Sequence, residues 1–473
     1  MTAPSTPRSL SESGKIFDRT DLIKKVESTD KIKEISEKTK KSKEDLITPD
    51  FNSMLQIIFW NSLGFFFFGF IMPYATLQIL GASGMELGYV ISGNTIGGLI
   101  SAPIVGYLTD KYSKKILVLI GSFGRAMSYI VMYLSIVFKS FWGFAFGIFF
   151  LGLSVGFFWT PLDALISQKS YKTYRATAFG KRGGKIGLGN LFGSIISLTI
   201  FGISYTLIPE MTWIVYSPLL LFTISNIYAG IIFLKKTDEN LTYDKYISSL
   251  HIENIELMEE KGNNKETEGK QEIGENGVNH GKNMLYIGFI IFMIAFMLTS
   301  INQSLSYPFL QGYLIENFVQ NPILIMLVYF PSEMIAQLLA PKLGVLADKL
   351  NPNLTILITG SLGASITWFL INSPSAFVFG LLLIFDTLFA WLGMLILQNF
   401  LSRFSKKNRG KIFGIRQWVG LLGGVIGPLI GGFAWVSLGH RAPFIISIFV
   451  EISLVPLFII SLKMLKSFIA EKV

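Results

Sequence analysis

The chain has no cysteine, only three histidines, and charged side chains at 15% of its 473 residues, well below the roughly one quarter usual in soluble domains. Without cysteine there is neither a disulfide nor a thiolate metal site. His251, His280 and His440 are scattered, so no metal centre and no histidine-based catalytic constellation is expected. A phosphate loop is missing too. Gly180-Lys181-Arg182-Gly183-Gly184-Lys185 and His280-Gly281-Lys282 lack the spacing, and the Ser or Thr after lysine, that hold a nucleotide. These absences argue against an enzyme, a cofactor and an ATP-driven pump.

Apolar length is what the chain has. Hydrophobic residues make up 51%, phenylalanine alone numbers 41, and the mean hydropathy is +0.52. Twelve apolar runs are long enough to cross a hydrocarbon layer about 30 Å thick. They centre near Phe67, Gly97, Met127, Phe150, Ser197, Ile224, Ala295, Ser332, Ala364, Phe385, Gly427 and Val455. None shows the alternation of a barrel strand, so helices must span the layer. An all-α integral membrane protein is expected, with helical bundles over 51–235 and 284–466. The polar remainder is a tail over 1–50 with no signal-peptide core, a linker over 236–283, and an end at 467–473. A short amphipathic helix is expected around Tyr243 to Met258.

Lysine and arginine gather in alternate loops, at Lys111, Lys114, Lys115, Lys169, Lys181, Arg182, Lys185, Lys342, Lys349, Arg403 and Arg409 among others. The opposite loops offer little beyond Lys139 and Arg441. By the positive-inside rule both termini and the linker are cytoplasmic. That asymmetry accounts for the formal net charge of +10 without a nucleic-acid partner.

Two motifs recur. Ala102-Pro103-x-x-Gly106-x-Leu108-x-Asp110-Lys111 returns 238 residues later as Ala340-Pro341-x-x-Gly344-x-Leu346-x-Asp348-Lys349. Arg175-x-x-x-Phe179-Gly180-x-Arg182, with Gly189 and Gly193, returns after 234 as Arg409-x-x-x-Phe413-Gly414-x-Arg416, with Gly423 and Gly427. An even number of spans separates the copies, so the repeat is parallel, six helices plus six, rather than inverted.

Gly106-x-x-x-Asp110-Lys111-x-Ser113-Lys114-Lys115 resembles the signature of the major facilitator superfamily between its second and third helices. Ser113 stands in place of a glycine and lysines in place of arginines. The second copy keeps only its Gly344 and Asp348 core, with Asn351, Pro352 and Asn353 where basic residues would follow. The resemblance covers all twelve helices and implies that family's fold, two six-helix bundles that rock about a central cavity. It also implies that Asp110 latches the bundles on the cytoplasmic side; Gly106, Lys111, Lys114, Lys115, Gly344, Asp348 and Lys349 complete this gating set. Gly423-Gly424-Val425-Ile426-Gly427-Pro428 looks like a string that exporters of the family carry in helix five. In helix eleven, Gly420, Gly423, Gly424, Gly427, Gly431 and Gly432 form a small-residue face for a neighbouring backbone.

Ionisable groups at membrane depth are costly and point to function. Asp386 lies eleven residues into its helix, about 16 Å deep at 1.5 Å per residue, and Glu333 and Arg125 are at similar depth. Family geometry puts helices one, four, seven and ten around the cavity, making Asp386 and then Glu333 the first choices for contact with substrate or proton. Asn61, Tyr74, Trp159, Asn302, Gln303, Tyr307 and Trp391 are further lining candidates. Near the cytoplasmic mouth Asp163 is expected to pair with Lys181 or Arg182, with Arg416 as the repeat partner of Arg182. Pro73 and Pro308 sit at comparable places and are expected to bend helices one and seven.

A carboxyl group in a desolvated cavity can tie proton exchange to the side the cavity faces, whereas sodium needs converging oxygen ligands that are not apparent. The expectation is a monomeric, proton-coupled carrier in the plasma membrane that exports a small amphipathic compound. Proton-coupled uptake of a sugar, peptide or organic anion is the alternative, and a transporter-like receptor a more distant one.

Overall fold

The computed structural model describes residues 46–171, 175–251, 275–404 and 409–465. Most of the polar tail, much of the linker and the C-terminal end lie outside them. The described residues form twelve long helices: α1 (Phe51–Ile79), α2 (Gly84–Lys111), α3 (Lys114–Val137), α4 (Phe141–Gln168), α5 (Arg175–Leu207), α6 (Pro218–Lys236), α7 (Glu275–Ser306, resumed as Phe309–Asn317), α8 (Pro322–Lys349), α9 (Pro352–Ile371), α10 (Ala376–Phe404), α11 (Arg409–Ser437) and α12 (Ala442–Leu465). Eleven are long and apolar enough to cross a membrane, and α8 carries a shorter apolar stretch over Pro322–Ala336. Short helices at Thr212–Val215 and Tyr243–His251 complete the order.

Helix starts follow from local chemistry. Ser83 and Glu86 make a reciprocal capping box on α2, the Glu86 carboxylate accepting from the Ser83 amide at 2.7 Å. Ser113, the residue that departs from the family signature, N-caps α3. Asn321-Pro322 and Asn351-Pro352 open α8 and α9, each asparagine side chain accepting an amide N–H while proline occupies a position that needs no donor. The second motif copy has thus exchanged its basic run for a cap.

Helices α1 to α6 pack as one bundle and α7 to α12 as another. Glycines set the closest approaches within each. A Cβ on Gly189 or Gly193 of α5 would lie 2.4 Å from the Phe59 carbonyl oxygen or 1.8 Å from that of Leu63, on α1. Their repeat partners Gly423 and Gly427, with Gly431, do the same on α11, against Met297, Ile301 and Leu305 of α7. The duplication is therefore visible as one packing device used twice.

Helix α1 is interrupted twice. It breaks over Ser62–Gly64, where Asn190 of α5 accepts the N–H of Phe66 at 2.8 Å, and it ends in a π turn over Ala75–Ile79 just after Pro73. Pro308 likewise divides α7. Helix α7 also begins at Glu275, inside the segment expected to be linker.

The bundles meet at the end holding the α1–α2 and α11–α12 loops. The small-residue stripe of α11 is two faces rather than one: Gly423, Gly427 and Gly431 serve α7, whereas Gly424, Pro428 and Gly432 press on α2. Gly88 opposes the Pro428 carbonyl, Gly432 opposes the Gly84 carbonyl, and Ser92 donates to the Val425 carbonyl at 2.9 Å. Trp435 fills the end of this seam, lying over Gly84 and Gly312 and stacked on His440, which pairs with Glu316.

At the opposite, lysine-rich end a polar staple holds three segments of the first bundle. Lys169, fully buried, donates to Asp50 (2.7 Å) and to the carbonyls of Asp238 (2.5 Å) and Leu241 (2.8 Å). Ile47 and Ser170 form a β-bridge beside it. Glu239 reaches the N-terminus of α3, accepting from the Ser113 hydroxyl and from the Lys114 amide at 2.6 Å, while Lys115 Nζ donates to the Thr237 carbonyl at 2.7 Å.

Candidate substrate and coupling site

In the second bundle, α7, α8, α10 and α12 bring acids and tyrosines together. The Tyr307 hydroxyl donates to Glu333 Oε1 at 2.9 Å, and Tyr307 is 41% exposed. Asp386 on α10 is half-buried and close enough to Tyr307, Tyr329 and Glu451 to act on them electrostatically. Tyr329 is buried, and its hydroxyl makes no hydrogen bond. The Glu451 carboxylate on α12 lies against Gly363 of α9, where a Cβ would come within 2.4 Å of Oε1. The ion pairs among the described residues join Lys169 to Asp50 and Arg182 to Asp163, and His440 contacts Glu316. None neutralises Glu333, Asp386 or Glu451.

The first bundle carries the opposite charge. Arg125 on α3 is 1% exposed and lies between the rings of Phe65 and Phe158, at 5.1 and 5.6 Å from their centroids. One Nη donates to the Asn61 carbonyl at 3.1 Å, and Nε and the other Nη have no hydrogen-bond partner. Nearer the lysine-rich end Arg182 stacks 4.4 Å over half-buried Trp159, with its Nε 2.8 Å from Asp163 Oδ1. Arg416 repeats the stacking at 4.4 Å over Phe296, but among the described residues no acid pairs with it and its Nε is buried without a hydrogen-bond partner.

The other lining candidates divide. Asn302 and Trp391 are half-buried and Gln303 is exposed; the Asn302 Oδ1 is buried without a donor. Asn61 is fully buried, donating to Asn226 at 2.7 Å, and Tyr74 is 6% exposed and stacked on Phe70. Both belong to the packing of the first bundle in this conformation rather than to an open lining, because α1 turns their face toward α3, α5 and α6.

Among the described residues no ion pair of the gating set crosses between the bundles. Asp110 is exposed and has no ion pair among the described residues, Lys111 lies over the Tyr107 ring, and Gly106 faces open space. Lys114 and Lys115 meet Glu239 and Thr237 of their own bundle. Gly344, Asp348 and Lys349 lie in the last turns of α8, and their surroundings are outside the description.

Sequence reasoning missed Glu451, Asn190, Asn226 and Glu239. Glu451 had a readable signal, a single acid within a strongly apolar run. The other three are ordinary polar residues whose roles exist only once helices are placed beside one another.

A family model for the Major Facilitator Superfamily matches residues 55–403 and 292–467. The chain belongs to the major facilitator superfamily. No curated protein sequence matches it significantly. Three solved structures share the fold, each covering 88% of this chain. A bacterial homologue of the human drug peptide transporters PepT1 and PepT2 has 13% identity and a TM-score of 0.61 over 98% of its length. A D-xylose-proton symporter has 13% identity and a TM-score of 0.59 over 97%. A bacterial homolog of the human lysosomal transporter Spinster, in an inward-facing and occupied conformation, has 12% identity and a TM-score of 0.60 over 95%. As a member of the superfamily the protein is a transporter of small molecules and not an enzyme.

Proposed function

We propose that this superfamily member is a proton-linked carrier that exports a small amphipathic organic compound by alternating access. The lysine-rich end is taken as cytoplasmic under the positive-inside rule. The bundles are joined at the other end along α2 and α11, so the conformation described opens inward. The observation that carries the reading is the group Glu333, Asp386 and Glu451, none of which has a basic partner among the described residues. Acids in a low-dielectric bundle require an incoming positive charge, and a proton or the cationic end of a solute supplies it. Tyr307 and Trp391 add aromatic faces suited to an amphipathic or cationic solute.

Uptake is the competing direction, supported by the names of the similar structures, a D-xylose-proton symporter and a homologue of peptide transporters. A screen in inverted vesicles, with and without a proton gradient, identifies the solute and its direction. With that solute, an Asp386→Asn, Glu333→Gln double variant in proteoliposomes should retain counterflow and lose uphill transport. Uphill transport by the double variant would sink the coupling assignment.

A further inference from the structure

The flank of the first bundle formed by α1, α5 and α6 holds a groove that the transport reading does not use. Its volume is about 510 Å³, and α1, α5 and α6 enclose it near the lysine-rich end. Lys185 from α5 and Lys236 from the end of α6 line it, together with Gln56, Phe59, Trp60 and Tyr228. Neither lysine has an acidic partner or a hydrogen bond among the described residues. Trp60 and Tyr228 meet edge to face at 5.2 Å, and Tyr228 is 47% exposed, so an amphipathic aromatic wall adjoins the two cations.

The positive-inside rule alone explains lysines at helix ends, but not why two from different helices share one cleft. Nor does it explain why the cleft's remaining wall is largely aromatic, with aliphatic Ile232 and the Gln56 amide completing it. Cationic heads beside apolar rings match a ligand with a negative head and a hydrocarbon body, and basic pockets between spanning helices take anionic lipid heads. We propose that this groove is a binding site for an anionic phospholipid of the leaflet at the lysine-rich end. The phosphate sits between Lys185 and Lys236, Gln56 donates to the head group, and an acyl chain runs along Trp60 and Tyr228.

Native mass spectrometry of the full chain tests this, with equimolar phosphatidylglycerol and phosphatidylcholine as probes. Wild-type protein should retain phosphatidylglycerol preferentially, and a Lys185→Gln, Lys236→Gln variant should retain about fivefold less. Trp60→Ala should weaken retention as well. A Lys342→Gln, Lys463→Gln variant, which alters lysines away from the groove at the ends of α8 and α12, should bind as wild type. Melting in phosphatidylcholine checks that each variant is folded. Equal loss in the control variant would reduce the effect to diffuse attraction, and equal retention of the two lipids would remove the site. Competition by glycerol phosphate at matched concentration would make it a head-group anion site without a lipid, overturning the proposal. None of these readouts depends on transport, so they stand or fall apart from the proton-linked reading.

Discussion

Arg125 is the residue at which burial and charge are most at odds. It is almost fully enclosed, with one hydrogen bond for a guanidinium that can make five. Among the described residues no acid pairs with it, so the desolvation cost of its charge is not offset by a counter-ion and an apolar side chain of similar length would avoid that cost. Arg125→Met is therefore expected to melt at the wild-type temperature or above it. If the charge serves transport, the same variant should lose about tenfold in rate, a barrier change of roughly 1.4 kcal/mol. Unchanged transport at unchanged stability would reduce Arg125 to filler. Its depth and type were plain in the sequence, whereas its want of a partner was not, since no spacing rule reports what a helix will find across the bundle. Asn61 illustrates the same gap. It lies on a helix expected to line the cavity, but the break over Ser62–Gly64 leaves it facing Asn226.

At the level of elements, the bundles meet along the seam between α2 and α11. Gly88→Ala would put a methyl group 2.5 Å from the Pro428 carbonyl oxygen, where only backbone can give way. The variant should favour the conformation open at that end, while Gly187→Ala, with no neighbour within 4 Å, should not. Because the chain has no cysteine, a single one introduced at Leu80 reports the change directly: its rate of thiol labelling should rise in Gly88→Ala and stay constant in Gly187→Ala. Equal labelling in both would detach the seam from the conformational cycle. The glycines of α11 were legible as a small-residue stripe, and the repeat made their role against α7 readable by comparison with Gly189 and Gly193. Their division into two faces was not legible, because residues one position apart on a helix differ by only about 100°.

For the whole molecule, hydropathy, charge asymmetry and the two repeats were enough to reach twelve helices in a parallel duplication. Those signals are each sustained over many residues and so survive local exceptions. The staple at the lysine-rich end carries no such periodic signature: Asp50, Lys169 and Glu239 come from three segments separated by most of a bundle, and the last of them reads as linker. Lys169→Met would leave Asp50, whose side chain is 11% exposed, without its cation. Losing one partner of a buried pair commonly costs about 3–5 kcal/mol. Calorimetry should accordingly show a markedly lower melting temperature for Lys169→Met, and an Asp50→Asn second change should recover part of the loss. A melting temperature within a degree or so of wild type would mean the staple is ornamental.

The same staple says where the protein can be divided. Residues Thr237 to Leu241 belong to the first bundle by their bonds, although they precede the second in the chain. Two half-molecules coexpressed from separate messages should reassemble into a working carrier when the first ends at or after His251. A first fragment stopped at Lys236 would lack the carbonyls that hold Lys169 and the carboxylate that caps α3, and should be degraded before it finds its complement. Fragment complementation would thus mark the boundary between the halves several residues beyond the last membrane helix of the first.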